Sequence, residues 1–362
     1  MKVYVYAICK NESQFVRRWL RSMAEADGIF VLDTGSTDDS AALLRQGGAA
    51  VTEEVISPWR FDTARNRSLA LVPGDADICV CTDLDEVFHP GWRALLENAW
   101  QPDTCRAAYR YTWNFLPDGS EGHVFWIEKI HARHHYRWVH PVHEVLEWLG
   151  DAGREKKITI EGIQLDHHAD PGKPRSQYLP LLELSVREAP EDDRNMHYLG
   201  REYLFYGRYD DCIRTLTRHL SMPTARWADE RCASMRYIAR AYRAKGNRKE
   251  AEAWYWRAMA EAPHLREPFV EAAFLAYERK DWEAAVYLTG KALAIEERPR
   301  TYITESDAWG ALPWDLMALG LYHTGRLPEA MQAAEKACAL APEDPRLKEN
   351  LRLIRAKTDP PA

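Results

Sequence analysis

The sequence predicts two architectures in one chain of 362 residues: an α/β domain with a mostly parallel sheet, then an all-α helical-repeat solenoid. In the first half, strand-like and helix-like segments alternate, as they do in parallel sheets with helices on both faces. In the second half, small and aromatic residues recur with a period of about 34 residues. Residues 169–176 form a break rich in Pro, Gly and Lys. We therefore predict one domain over residues 1–173 and a second over residues 174–362.

Short apolar runs and amphipathic stretches carry the α/β pattern. The predicted strands cover residues 2–9, 28–32, 49–54 and 77–82, and the predicted helices cover residues 12–26, 36–45 and 63–71. Ser36 or Thr37 is the expected cap of the second helix. Four aromatic-rich segments between residues 106 and 166 are expected to add antiparallel strands that border an acceptor cleft.

The second half repeats a helix-pair pattern. Residues 235–263 fit the tetratricopeptide spacing closely, and units at 196–223, 269–297 and 317–342 follow it. The matching positions of the best unit are Ile238, Ala239, Tyr242, Gly246, Ala251, Tyr255, Ala258 and Pro263. Each helix pair buries its apolar stripe against the next pair. With a terminal helix over 345–356, this predicts a superhelical stack that serves as a scaffold, a dimer face or an acceptor dock.

Composition and charge exclude several classes of protein. The net charge of −7 argues against a protein that binds mainly phosphate backbones, so nucleic acid is not favoured as a partner. Residues 1–173 hold the whole acidic excess, with 26 acidic against 19 basic residues. The seven cysteines have no paired spacing, which favours reduced thiols over a disulfide or zinc framework. No apolar run is long enough for a transmembrane segment or a signal peptide, and a cytoplasmic protein is expected.

Polar clusters follow the predicted strands of the first half. They are Lys10-Asn11-Glu12, the segment 33–38 (DTGSTD), the segment 62–66 (DTARN) and Asp83-Leu84-Asp85-Glu86. Ligands of such sheets bind beyond the carboxyl ends of the strands, where these clusters are expected to lie.

The last cluster has the sharpest chemistry, because three carboxylates within four residues repel one another unless cations neutralise them. If strand geometry continues to Asp85, then Asp83 and Asp85 point to one side and suit Mg²⁺ or Mn²⁺. The alternative is an acidic turn that caps a helix starting near Pro90, with Asp85 or Glu86 as the cap.

Taken together, the motifs YAICKNE, VLDTGSTDDS, ARNRSL and CTDLDE resemble those of family 2 glycosyltransferases of the GT-A fold. The resemblance covers roughly residues 1–170, and a tetratricopeptide tail occurs in a subgroup of these enzymes. It implies a nucleoside-diphosphate sugar as donor, with a UDP-sugar as the first candidate. It also implies a divalent cation, Mn²⁺ or Mg²⁺, and inversion at the anomeric carbon.

The resemblance also implies roles for individual residues. Asp85 is the expected direct metal ligand, with Asp83 near the ribose and the metal, and Asp33 is expected to bind the base or ribose. Arg65 is expected to reach the ribose or diphosphate, although a surface helix arginine is the alternative. The residues expected to line the base and ribose are Ala7, Lys10, Asn11 and Glu12.

A histidine ligand and a general base are also expected in the later part of residues 1–173. Family members often add a late histidine to the metal or diphosphate; His167 and His168 are available, and His168 is favoured. An inverting transfer also needs a base for the acceptor's proton. Glu144 is the first candidate, since a subgroup resemblance supports its pairing with the adjacent His143, and Glu128 is the second.

Other features leave the function open. Trp113, Trp126 and Trp138 could contact a sugar or fill a core. The acceptor could be a protein or peptide, a glycan or a lipopolysaccharide core, and the repeats could form a homodimer or bind a partner protein. A non-catalytic tetratricopeptide adaptor with a degenerate nucleotide-sugar domain is the alternative function. Retention of Asp83, Asp85 and Glu86 argues against it.

Overall fold

The computed structural model describes residues 1–116, 119–170 and 178–358. The chain divides into two compact units, one of residues 1–185 with 300–302 and one of residues 186–299 with 303–362. The predicted boundary between residues 173 and 174 lies outside the described residues. Within the described ranges, no helix combines the length and apolar character that a membrane span requires.

The first unit is built on an eight-stranded sheet with the order β3-β2-β1-β4-β7-β6-β10-β5, and β8 and β9 form a separate hairpin. The strands are β1 (Val3–Cys9), β2 (Gly28–Asp33), β3 (Ala50–Glu53), β4 (Ile78–Cys81), β5 (Glu86–Phe88), β6 (Arg106–Thr112), β7 (Val124–Ala132), β8 (Tyr136–Val139), β9 (Val145–Trp148) and β10 (Lys157–His167).

The predicted mostly parallel sheet is confirmed, because β3, β2, β1 and β4 pair in parallel. The later strands only partly match the antiparallel prediction. Strand β7 is antiparallel to both neighbours, but β10 runs parallel to β6. This part of the prediction was wrong because local composition does not encode which distant strand an element joins.

Helices α1 (Ser13–Met23), α2 (Ser40–Gln46), α3 (Phe61–Ala70) and α4 (Trp92–Ala99) connect the strands. Strand β1 alternates its side chains between two cores. Val3 and Val5 pack with residues of α1, α2 and α4, whereas Tyr6 packs with residues of α3 and the β8–β9 hairpin. The same second core buries Cys79 and Cys81, which are free thiols. Helices therefore lie on both faces, as the sequence predicted.

Helix α2 begins later than predicted. It starts at Ser40, and neither Ser36 nor Thr37 caps it. Instead, the Ser36 hydroxyl accepts a hydrogen bond from the Asn11 backbone N–H at 2.9 Å. The predicted cap residues thus join two loops, a contact between segments that helix spacing cannot reveal.

The second unit consists mainly of consecutive antiparallel helix pairs. After α5 (Tyr178–Glu188), these pairs are α6 (Asp193–Phe205) with α7 (Tyr209–Ser221), α8 (Ala228–Ala244) with α9 (Arg248–Glu261), α10 (Glu267–Glu278) with α11 (Trp282–Leu293), and α12 (Leu312–His323) with α13 (Leu327–Leu340). Helix α14 (Pro345–Thr358) ends the stack. The four predicted units and the terminal helix are confirmed as a tetratricopeptide-like solenoid.

Small residues allow the helices of a pair to approach closely. A Cβ atom on Gly200 of α6 would lie 2.2 Å from Leu216 Cδ2 of α7 and 2.4 Å from its Cγ. Gly200 therefore fits this position because it has no side chain, as the repeat pattern predicted.

Candidate active site

The loops after β1 and β2 are joined by hydrogen bonds. Asn11, with φ of 53°, accepts a hydrogen bond from the Thr37 N–H through Oδ1 at 2.7 Å. The Glu12 N–H donates to the Ser40 hydroxyl at 2.8 Å, and Glu12 is buried. This network fixes two of the four polar clusters beside each other at one edge of the sheet.

Asp33, the last residue of β2, has one carboxylate oxygen committed to its own loop and one buried without a partner. Its Oδ1 accepts hydrogen bonds from the backbone N–H groups of Gly35 and Ser36 at 2.9 and 2.7 Å. Its Oδ2 is buried and has no hydrogen-bond partner in the described part of the chain. Such a buried acceptor costs about 1–3 kcal/mol when it stays unpaired. A ligand N–H or O–H would satisfy it.

Asp83 lies between two cations. Arg65 donates from Nη2 to Asp83 Oδ1 at 2.5 Å, and Lys129 donates to Asp83 Oδ2 at 3.0 Å. Although burial acts in the opposite direction, the charges of Arg65 and Lys129 hold the pKa of the Asp83 carboxyl well below its usual range. Strand β4 ends at Cys81, so the strand geometry that would place Asp83 and Asp85 on one side does not continue to Asp85.

Glu86 is fully buried next to Asp83 and Lys129. It accepts hydrogen bonds from the Lys129 ammonium and the Tyr111 hydroxyl, each at 2.8 Å, and from the Asp83 N–H at 2.8 Å. Burial and the nearby Asp83 charge raise the pKa of Glu86. Helix capping does not explain the cluster, because the N-cap of α4 is Gly91 and has no side-chain cap.

Asp85 contacts His167 and His168, which lie at the end of β10 and directly after it. His167 Nε2 lies 3.5 Å from Asp85 Oδ2, and His167 Nδ1 lies 2.8 Å from the Trp113 carbonyl oxygen. Although burial lowers it, contact with the Asp85 carboxylate raises the pKa of His167. The favoured His168 instead stacks its ring on Phe115, with 5.6 Å between ring centroids, and its backbone N–H donates to the Asp85 carbonyl.

Glu144 reaches the same cluster from the loop between β8 and β9. Arg65 Nε donates to Glu144 Oε1 at 3.0 Å, so one buried guanidinium contacts both Asp83 and Glu144. Helix α3 holds this loop in place. The Asn66 side chain donates to the Trp138 carbonyl and accepts from its N–H, both at 2.8 Å, and the Phe61 N–H donates to the Pro141 carbonyl.

The charges of this cluster suit a divalent cation. Three carboxylates (Asp83, Glu86 and Glu144) pair with two permanent cations, Arg65 and Lys129. Asp85 adds a fourth carboxylate, which faces His167. Asp85 and His167 offer the oxygen and nitrogen ligands that Mn²⁺ accepts. The residues present therefore fit the predicted cation.

The remaining predicted residues occupy different positions. Ala7 is fully buried in the core, whereas Lys10 is exposed. Glu128 pairs with Arg106 and Lys157. Since neither cation contacts Asp83 or Glu144 in the described ranges, Glu128 stands apart from the cluster.

The three tryptophans also differ from one another. Trp138 is a core residue, with 3% of its surface exposed, and its Nε1 donates to Tyr6. Trp126 is half-buried in β7. Trp113 is 48% exposed and stacks on His167 with 4.6 Å between ring centroids, so it offers an aromatic face beside the cluster.

Sequence reasoning missed Lys129. It lies 46 residues from Asp83 on a different strand, and the sequence shows only a lysine next to apolar residues in a strand. The one available signal was that a charged residue within a buried strand needs a partner of opposite charge.

Comparison with known proteins agrees with this geometry. Residues 4–138, which include Asp33, Arg65, Asp83 and Lys129, match the family described as Glycosyl transferase family 2. The matched segment lies within the first unit. Glu144 and His167 lie beyond the matched segment.

The chain also resembles repeat proteins. A TPR repeat-containing protein of Synechococcus elongatus is 30% identical over 105 residues, which cover 28% of this chain and 25% of that protein. The chain thus matches about a quarter of that relative's length.

Two solved structures extend this likeness. A thermophilic TPR protein of Thermus thermophilus is 19% identical, with a TM-score of 0.37, over 50% of this chain and 90% of that one. The protein MamA is 14% identical, with a TM-score of 0.37, over 51% of this chain and 99% of that one.

Proposed function

We propose that this protein is an inverting, cation-dependent glycosyltransferase. It takes a sugar from a nucleoside-diphosphate sugar, with a UDP-sugar as the first candidate, and transfers it to a hydroxyl acceptor. The observation that carries the proposal is the bridging of Asp83 and Glu144 by Arg65. One buried side chain thereby links the acidic motif expected at the donor with the carboxylate expected at the acceptor.

The donor's nucleoside is assigned to the joined loops after β1 and β2. The buried Asp33 Oδ2 accepts an N–H of the base or an O–H of the ribose, because it has no partner among the described residues. Asn11 and Glu12 shape the same edge through their hydrogen bonds to residues 36–40. Lys10 is exposed and supplies a positive charge beside it.

The cation, Mn²⁺ or Mg²⁺, is assigned to Asp85 with His167. His167 takes the place of His168 in this proposal because its Nε2 faces the Asp85 carboxylate. Asp83 has both oxygens engaged by Arg65 and Lys129, so its main role is to position those two cations. When bound, a divalent cation supplies Lewis-acid stabilisation of the leaving diphosphate.

Glu144 is assigned as the base. Its Oε1 accepts a hydrogen bond from Arg65, which fixes the position of the side chain. Its Oε2 has no hydrogen-bond partner among the described residues, and the side chain is 13% exposed. An acceptor hydroxyl can therefore approach this second oxygen and transfer its proton there as the new bond forms.

The acceptor is proposed only as a class that carries a hydroxyl group: a protein or peptide, a glycan or a lipopolysaccharide core. The repeat unit adds a helical surface of the kind that binds proteins. We therefore include a partner protein, or a second copy of the chain, among the molecules that the repeats would engage.

Calorimetry tests the donor site directly. Uridine diphosphate is titrated into the full chain with Mn²⁺ and again after chelation, for the wild type and for Asp85→Asn. We expect chelation and Asp85→Asn each to weaken binding at least about tenfold, since each removes the same metal-mediated contact. Asp103→Asn is the matched control, because this exposed aspartate pairs with Lys156 on the surface of the same unit. Equal affinity with and without Mn²⁺ would contradict the cation role.

A further inference from the structure

A second cluster of metal-ligating side chains lies on the first three helices of the repeats, α6, α7 and α8. It consists of Asp193 at the start of α6, His219 in the last turn of α7 and Glu230 in the first turn of α8. One ligand atom from each side chain lies within 4.8 Å of the other two. His219 and Glu230 are buried, and Asp193 is half-buried.

The spacing of the two buried ligands suits a metal ion. His219 Nε2 lies 3.4 Å from Glu230 Oε1. Two ligands about 2.0–2.1 Å from a tetrahedral Zn²⁺ are separated by roughly 3.4 Å. The observed distance is therefore the edge expected when both atoms bind one zinc ion.

An independent observation points to a ligand at this position. His219 is fully buried, yet its Nε2 makes no hydrogen bond in the described part of the chain. A buried ring nitrogen that makes no hydrogen bond costs free energy that a bound ion would recover. This Nε2 is the atom that faces the Glu230 carboxylate.

A contact between Nδ1 and the Ser234 hydroxyl fixes the orientation of the His219 ring. Its Nδ1 lies 3.0 Å from the Ser234 hydroxyl, and that hydroxyl lies 2.8 Å from Nδ1 of the buried His197. If the Ser234 oxygen accepts from His219 Nδ1–H, the lone pair of His219 falls on Nε2 and faces the cluster. Metal-binding histidines are commonly held in this way, through their second nitrogen.

We propose that Asp193, His219 and Glu230 bind a structural divalent metal ion, with Zn²⁺ as the preferred ion. The three side chains offer an imidazole nitrogen and carboxylate oxygens, which are ligands that Zn²⁺ accepts. Asp193 is half-buried and gives solvent access for a water molecule as the fourth ligand. The ion would join three consecutive helices and stabilise the first repeat. This proposal is independent of the glycosyltransferase proposal.

The test is zinc retention by the full chain in which Asp85→Asn removes the cation ligand of the other site. The protein is stripped with a chelator, dialysed against low-micromolar zinc and then analysed for metal by mass spectrometry. We expect about one zinc ion per chain, and a rise of about 5 °C or more in the melting temperature of the repeats. Adding His219→Gln should reduce retention at least about tenfold.

Two further variants make the outcome decisive. Asp193→Asn changes a half-buried ligand with little effect on packing, so it should lose zinc even if His219→Gln does not fold. His264→Gln is the matched control, because His264 also pairs with an aspartate in the repeats, at 2.8 Å from Asp229, but is 55% exposed. Zinc retention that survives Asp193→Asn, or the absence of bound zinc in the Asp85→Asn protein, would overturn the proposal.

Discussion

Arg65 of helix α3 donates a hydrogen bond from Nε to Glu144, 79 residues further along the chain, at 3.0 Å. The same guanidinium donates to Asp83 at 2.5 Å and is buried. Removing it would leave two carboxylates without their shared cation. The relationship therefore makes Arg65 a positioning residue for both proposed halves of the reaction.

Replacement of Arg65 by lysine tests this role. Lysine keeps the charge but presents a single ammonium, which cannot replace the fork that contacts Asp83 and Glu144 together. We expect Arg65→Lys to reduce turnover by about 10² or more through misplacement of the carboxylates. Arg67→Lys is the control, because Arg67 lies on the same helix with its side chain 62% exposed. Equal turnover of the two variants would show that Arg65 positions nothing.

Replacement of Glu144 by glutamine tests the base. The change keeps the shape of the side chain but removes the proton acceptor, so turnover should fall by about 10²–10⁴. The Michaelis constant for the donor should barely change, because the proposed donor contacts are untouched. Glu128→Gln, outside the cluster, should stay active. If Glu128→Gln is inactive and Glu144→Gln is normal, the base has been assigned to the wrong carboxylate.

The buried side chain of His131 should make the stability of the first unit depend on pH. Burial lowers the pKa of His131 to about 3, and its Nε2 lies 2.8 Å from the Tyr6 hydroxyl, which accepts from Trp138. A histidine with a depressed pKa stabilises the fold above the unfolded value of about 6.5, and this stability is lost as pH falls. At pH 5.5 the loss is about 1.4 kcal/mol relative to pH 7.5.

Calorimetric unfolding of the full chain at the two pH values measures this loss. His131→Gln should reduce the pH dependence of the N-terminal transition by about 1.4 kcal/mol, because glutamine does not titrate. His134→Gln should leave it unchanged, since His134 is exposed. Identical pH dependence in wild type and His131→Gln would contradict this account, because it would mean that the pKa of His131 is the same in the folded and unfolded states.

Two glycines of the solenoid test the packing of the helix pairs. Gly200→Ala should destabilise the repeats by about 1–3 kcal/mol, because the added methyl meets the fully buried Leu216. Gly290→Ala, inside α11, should be neutral or stabilising by up to about 1 kcal/mol, since its Cβ would meet only Met317 Cε at 3.8 Å. Denaturant unfolding measures both changes. The packing account fails if the two variants have the same stability.

Much of the fold could be predicted because its signals are local. Alternation of apolar runs predicted β1 to β4 and their helices, and the repeat period predicted all four helix pairs. The order of the later strands could not be predicted, since the parallel pairing of β10 with β6 joins segments about fifty residues apart. The start of α2 at Ser40 was missed because Ser36 binds a distant loop.

The candidate site was predicted by residue type more than by geometry. Asp33 ends β2 and Asp83 follows the end of β4, where ligands of such sheets bind, whereas Arg65 lies within helix α3. Lys129 was missed because it contacts Asp83 from strand β7, which is distant in sequence and pairs antiparallel with β4. The choice between His167 and His168 depended on which ring faces Asp85, and strand alternation alone does not decide that.

The central claim is that the chain releases a nucleoside diphosphate from a sugar donor, in a reaction that requires Glu144 and a divalent cation. A panel of nucleotide sugars with Mn²⁺, a hydroxyl acceptor and an assay for released nucleoside diphosphate tests it most directly. We predict release from at least one donor, lost on chelation and reduced by about 10²–10⁴ in Glu144→Gln. Release that is unaffected by both chelation and Glu144→Gln, or no release from any donor that binds, would contradict the account.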